Sequence, residues 1–157
     1  MKKTNAARLL DAKSINYELV ECKIDENDLS AITLAKKIGE SINQIFKTLV
    51  SRGDKTGVFV AVIPGTAEVD LKKAAKTSGN KNCAMVHQKE LLNLTGYIRG
   101  GCSPLGMKKP YPIFIHETCQ FFDLLFISAG QRGLQLKINP EDLIIVTGSV
   151  VCDLAAR

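Results

Sequence analysis

Histidine is nearly absent from this chain of 157 residues, with His87 and His116 the two copies. A Ser/His/Asp or Cys/His arrangement needs an imidazole beside its nucleophile and a carboxylate behind it. Both histidines end strand-like runs, where a capping or edge role is expected. The five cysteines, at 22, 83, 102, 119 and 152, are odd in number, form no C-x-x-C pair and lie at least seventeen positions apart. That spacing supports neither a disulfide framework nor a zinc site. Reduced thiols in a cytoplasmic protein are expected, several of them buried as small hydrophobes. No apolar run approaches the ~20 residues a bilayer demands. Arg8 and Asp11 interrupt the N-terminal stretch, so no signal-peptide core forms there. The stretch Gly101 to Gly106 has phosphate-loop spacing, but Met107 stands where the lysine belongs and Lys108 where Ser or Thr belongs. No dinucleotide fingerprint follows the first strand. Triad hydrolases, metal sites, nucleotide triphosphatases and dinucleotide-linked chemistry all lose their support.

What is present is ordinary globular material: 45% hydrophobic and 24% charged residues, with 12 glycines and 5 prolines. One domain over residues 1–157 is expected. Lys and Arg number 21 against 16 Asp and Glu, a net charge of +5. The excess is uneven. Residues 1–35 hold five basic and six acidic side chains, residues 36–109 thirteen and five, and residues 110–157 three and five. The middle of the chain is the basic part, which fits an anionic partner such as nucleic acid; a solvated lysine-rich surface is the alternative.

The pattern alternates helices and strands. Thr4 to Lys13 reads as a helix and Ile15 to Cys22 as a strand. Asp28 or Ser30 is placed to cap a helix through Ile32, Leu34, Ala35 and Ile38 that stops at Gly39. Ser41 and Gln44 have capping-box form before a short helix over Ile42 to Phe46. Lys47 to Ser51 and Val58 to Ile63 make a hairpin across a polar, glycine-bearing loop. Asp70 caps a helix over Leu71 to Ser78 that ends at Gly79. A strand over Cys83 to Val86 and a helix over Lys89 to Leu94, closed by Gly96, come next. Strands follow at Ile113 to Ile115, Leu124 to Ser128 and Leu134 to Ile138. Asn139-Pro140-Glu141-Asp142 has N-cap, N1 proline and first-turn acids in order. Val150 to Leu154 fits a last strand or a helix end. Short turns between strands argue against a purely parallel sheet, so a mixed, largely antiparallel α/β fold is expected.

Three segments carry residues suited to chemistry. Lys47 opens an apolar strand between Phe46 and Thr48, so its side chain leaves the sheet on the face opposite its neighbours. Facing a cleft it is a fixed cation; otherwise it snorkels at a strand end. The run Gly96-Tyr97-Ile98-Arg99-Gly100-Gly101-Cys102-Ser103-Pro104-Leu105-Gly106, followed by Met107, Lys108 and Lys109, implies a tight loop able to present backbone N–H groups to an oxyanion; a plain surface turn is the alternative. Ser128-Ala129-Gly130-Gln131-Arg132-Gly133 joins two strands through a second tight turn, with Gln135 just beyond it.

Together the three segments resemble the signature stretches of the YbaK/EbsC family of free-standing aminoacyl-tRNA deacylases, relatives of the editing domain inserted in bacterial prolyl-tRNA synthetases. The similarity runs over nearly the whole chain, and Gly-Gly-x-Ser-Pro-Leu-Gly is its most specific part. The resemblance implies a barrel-like mixed sheet surrounded by helices and release of cysteine mischarged onto proline tRNA, without cofactor or metal. Prolyl-tRNA synthetase is the implied protein partner. Lys47 matches the family's principal functional side chain. Gly100, Gly101 and Ser128 match pocket residues, and Phe46, Thr48, Cys102, Ser103, Pro104, Leu105, Gly106, Gly130 and Gln135 fall in the same stretches as expected substrate-binding positions. Two departures bear on substrate choice: Glu21-Cys22 stands where members often carry an aromatic residue, and Gln135 where some carry an acid.

The implied chemistry suits a chain with so little catalytic equipment. A pocket shaped for proline cannot strongly reject a similar, smaller side chain, since one methylene is worth only ~1–3 kcal/mol, and hydrolytic editing is the remedy. The ester is already activated, so positioning and charge stabilisation by the Gly100 and Gly101 N–H groups suffice. Lys47, with a reference pKa near 10.4, is expected to be a protonated clamp for the terminal phosphate or the ester carbonyl. The attacking group is water or the substrate's own thiol, and the resemblance favours the thiol. Lys36, Lys37, Lys72, Lys73, Lys76, Lys108 and Lys109 are the expected contacts to tRNA phosphates. A deacylase for another small amino acid such as alanine, or a non-catalytic tRNA- or synthetase-binding module, is the alternative.

Overall fold

A computed structural model describes residues 3–21, 31–38 and 41–156. Helix α1 (Asn5–Ala12) leads into β1 (Tyr17–Glu21), and α2 (Ala31–Ile38) into a 3₁₀ turn (Ile42–Gln44). The β2–β3 hairpin (Phe46–Gly53, Gly57–Pro64) is followed by α3 (Leu71–Ser78), β4 (Cys83–Met85) and α4 (Gln88–Thr95). After a long loop come β5 (Ile113–His116), a second 3₁₀ turn (Glu117–Phe121), β6 (Leu125–Gln131), β7 (Leu134–Ile138), α5 (Pro140–Thr147) and β8 (Val150–Cys152).

The local rules hold where caps are spelled out. Asp70 accepts hydrogen bonds from the Lys72 and Lys73 N–H groups, and Gly79 ends α3 at φ 83°. Asn139 does the same for Glu141 and Asp142 ahead of Pro140 in α5. Val150 to Cys152 resolves as a strand. The expected short helix after Ser41 is a 3₁₀ turn that stops at Gln44, because Phe46 already pairs with Pro64. The turn over Glu117–Phe121 carries no helical periodicity and was not expected. The expected caps Asp28, Ser30 and Gly39, and Cys22 at the end of the first strand, lie outside the described residues.

The mixed, largely antiparallel α/β architecture is present, its strands divided between two sheets rather than closed into a barrel. One has order β1-β7-β6, the other β4-β2-β3-β5-β8. The first is antiparallel throughout; in the second, β3, β5 and β8 run parallel. Their facing sides share a core containing Phe46, Val50, Val62, Leu125, Ile127 and Leu136. Helix α3 covers the outer face of the larger sheet, where Ala74 packs with Phe59, Ala61 and Ile63. Alternation along β2 therefore sends Phe46 and Val50 inward and Leu49 outward.

The sheets touch along only part of β2. An isolated bridge, Ile45 to Phe126, joins the start of β2 to β6, while β4 pairs with β2 at Ser51, Arg52 and Gly53 alone. The Val86 N–H reaches the Val50 carbonyl, and beyond it β4 turns away into α4. Between these two ties the edge of β2 is open among the described residues.

Candidate active site

A cleft of about 840 Å³ occupies that opening. β2 contributes Phe46, Lys47 and Thr48; the glycine loop contributes Gly100 and Cys102; the cross-strand partners Ser128 and Gln135 contribute from β6 and β7. Lys47 thus shares one cavity with both glycine-bearing bends. Gly101, Ser103, Pro104, Leu105, Gly106 and Gly130 stand behind this wall: the first four are buried, and the last two are half-buried.

Those residues shape the wall from behind. The Gly101 N–H donates to the Ile98 carbonyl at 2.9 Å, closing a turn of type II form with Gly100 at φ 83°. The Gly101 N–H is therefore spent inside the turn, while the Gly100 N–H has no partner among the described residues. A Cβ on Gly101 would lie 3.0 Å from the Arg132 nitrogen and the Gln131 main chain, so the loop sits directly against the β6–β7 turn. Ser103 Oγ accepts from the Leu105 N–H at 3.2 Å, and Ser128 Oγ from the Gly130 N–H at 3.2 Å. Tyr97 pins the two bends together. Its hydroxyl donates to the Leu105 carbonyl; a Cβ on Gly106 would lie 2.9 Å from that hydroxyl, and one on Gly130 would lie 2.9 Å from the ring. Burial pushes the Tyr97 phenol up to about 12, so it remains a donor.

Electrostatically the cleft is one-sided: among the described residues its walls carry no Asp or Glu. Partial burial lowers the pKa of Lys47, and the charge of the nearby, exposed Glu68 works in the opposite direction. The Cys102 thiol is pushed up to about 11 by burial, which leaves it protonated and a weak nucleophile at neutral pH. Thr48 Oγ1 is buried without a hydrogen-bond partner among the described residues. His87 reaches the rim as the N-cap of α4, its N–H donating to Glu90 Oε2 at 3.1 Å. His116 is buried elsewhere, its Nδ1 accepting from the Leu154 N–H at 3.1 Å and lying 3.8 Å from Asp153. Both histidines take the edge and capping places expected of them. No group of three His, Cys, Asp or Glu among the described residues could hold a metal ion, and no helix among them is long and apolar enough to cross a membrane.

The basic side chains divide. Lys36, Lys72, Lys76, Lys108 and Lys109 are exposed. Lys73 is committed to Asp153 at 2.9 Å and to the Ala155 carbonyl at 3.0 Å, so its charge is already matched. The side chain of Lys37 lies outside the described residues. The sequence reading gave no role to part of the cleft wall: Arg99, which lies inside the glycine-bearing stretch, and Met85, Val86, His87, Gln88 and Leu91 where β4 passes into α4. The basic residue directly before Gly100 was a readable signal; the β4–α4 wall offered none beyond ordinary apolar patterning.

Residues 25–145 match the family model described as an aminoacyl-tRNA editing domain. A candidate Cys-tRNA(Pro)/Cys-tRNA(Cys) deacylase, EbsC, of Enterococcus faecalis is 45% identical over 156 residues, 99% of this chain and 95% of that protein. The uncharacterised Bacillus subtilis protein YwhH is 30% identical over 126 residues, 78% of this chain and 80% of its own length. Among solved structures, a candidate trans-editing enzyme for prolyl-tRNA synthetase superposes with a TM-score of 0.85 at 25% identity, covering 99% of this chain and 100% of the other. With the signature bends gathered around one cationic cleft, these matches show that the chain belongs to the aminoacyl-tRNA editing domain family and is an aminoacyl-tRNA deacylase of the YbaK/EbsC type.

Proposed function

We propose that the protein acts in trans to release cysteine from mischarged proline tRNA, with Lys47 as the fixed cation and the substrate supplying its own nucleophile. The observation that carries this reading is the cleft's composition. Among the described residues it offers cations, a loop N–H and small polar groups, but no carboxylate base and no activated thiol. Such a site suits an ester that needs placing and charge stabilisation more than attack by a side chain. In the proposed step the cysteinyl sulfur attacks its own ester carbonyl. A carbon–sulfur bond forms, the bond to the ribose oxygen breaks, and the thiol proton passes to that oxygen. The products are uncharged tRNA and a cyclic thioester that water opens to free cysteine.

Lys47 faces either the carbonyl oxygen as charge develops or the neighbouring phosphate. The Gly100 N–H serves the same oxygen, and Ser128, Gln135, Thr48 and Cys102 bound the side-chain space. The name of the Enterococcus relative, which pairs cysteine with proline tRNA, supports the substrate choice. Exposed Lys36, Lys72, Lys76, Lys108 and Lys109 supply sequence-independent phosphate contacts. Prolyl-tRNA synthetase, the source of the mischarged tRNA, is the proposed partner, and the cytoplasm the proposed location.

A panel of proline tRNAs charged with cysteine, alanine or proline tests the reading through the amino acid released. Cysteine is expected to be freed at least tenfold faster than either competitor. Preferential release of alanine overturns the substrate, and salt-dependent binding without release of any amino acid overturns the activity.

A further inference from the structure

Arg99 is the cation in the cleft wall that no expected role accounts for. Its backbone is held on both sides. The Arg99 carbonyl accepts from Arg132 Nε at 2.8 Å, and the Ile98–Gly101 hydrogen bond closes the turn around Arg99 and Gly100. Gly100, at φ 83°, occupies the turn position that any residue with a Cβ would strain. The main chain is thus fixed while the Arg99 side chain stands exposed at the cleft. Other cations are spent on carboxylates: Lys3 on Asp11, Arg52 on Glu90 and Lys73 on Asp153. Among the described residues Arg99 makes no such pair, and those that line the cleft include no carboxylate to compete for it. A guanidinium carried on a fixed main chain, in a cleft whose described walls hold no acid, suits a bidentate phosphate contact.

Resting on the deacylase reading, we infer that Arg99 binds the phosphodiester that links the last nucleotide to the rest of the tRNA. The assignment separates the two cations of the cleft: Arg99 anchors the RNA end, and Lys47 is left to the ester. Arg99 contributes to binding, so its removal raises KM and leaves kcat in place.

Two substrates divide the possibilities: cysteinyl-tRNA(Pro), which has the phosphodiester, and 3′-O-cysteinyl-adenosine, which lacks it. Arg99→Gln is expected to raise KM for the tRNA about tenfold, as befits one charge-assisted contact, with kcat for both substrates and KM for the nucleoside ester unchanged. Its tRNA affinity should also depend less on salt, the slope falling by about 0.7 for a single-stranded contact. Arg99→Lys, which keeps the charge without the fork, is expected to recover part of the loss. Equal losses on the two substrates, or a fall in kcat with KM unmoved, overturn the phosphate assignment and leave deacylation standing. If the unaltered protein cleaves neither substrate, the deacylase reading fails and the clamp falls with it.

Discussion

Replacing Lys47 by alanine is expected to lower the single-turnover rate of cysteine release by about 10²–10³, the size of loss seen when one preorganised donor to a developing oxyanion is removed. The fold should persist, because Lys47 is half-buried on the open stretch of β2 and makes none of the core contacts of Phe46 and Val50. The same residue sets a pH signature. Partial burial lowers its pKa, so the clamp loses its proton, and release slows, at a lower pH than for an ordinary lysine. The stability effect has the opposite sense. Between the lowered folded value and the ordinary lysine value, the unfolded chain binds the proton more readily. The penalty for holding this cation in the cleft is fully present below that window and is relieved as pH rises through it. Lys47→Met should therefore melt at an equal or higher temperature than the parent at neutral pH while being inactive, by thermal denaturation and by cysteine release. Undiminished turnover in Lys47→Ala would remove this lysine from the mechanism.

The largest expected loss of stability lies at Tyr97, which touches the positions of both Gly106 and Gly130 and donates to the Leu105 carbonyl. Tyr97→Ala deletes a buried ring and orphans that acceptor, which together cost about 3–5 kcal/mol. For a domain of this size each kcal/mol is worth roughly 2–4 °C of melting temperature, so a fall of about 10 °C is expected. Tyr97→Phe isolates the hydroxyl and should cost about 1–2 kcal/mol. Gly130→Ala attacks the same contact from the other side: a Cβ there would lie 2.9 Å from the ring, at φ 109°. Because the changes share one contact, their combined cost should fall short of the sum. Full additivity in denaturant unfolding would show that Tyr97 does not tie the two bends together.

Much of this site was legible because its chemistry is written in local backbone demands. Gly100, Gly106 and Gly130 announce bends that residues with a Cβ resist, and Lys47 is conspicuous at the head of an apolar strand. Helix limits at Asp70, Gly79 and Asn139 were readable for the same reason, since caps are decided within four residues. The cleft itself was not legible. It exists because β2 and β6 meet at Ile45 and Phe126 and then part, and because β4 stops pairing after three residues. That is a property of two sheets, not of any segment. Met85, Val86 and Leu91 consequently read as ordinary apolar residues, and Arg99 as one surface charge among many. The division of the loop was also hidden: Gly100 and Cys102 form the wall, whereas Ser103 and Leu105 brace it from behind, a distinction that depends on what Tyr97 and the β6–β7 turn press against.

The central claim is that the cleft places the ester and the substrate breaks it. Its most direct test compares cysteinyl-tRNA(Pro) with the same tRNA carrying S-methylcysteine, under single turnover with unaltered protein. With the sulfur blocked, release is expected to fall by about 10² or more, because an attacking group already held beside its carbonyl carries a large effective concentration. Release of S-methylcysteine at the rate of cysteine would contradict the account and assign the attack to water or to a group of the protein.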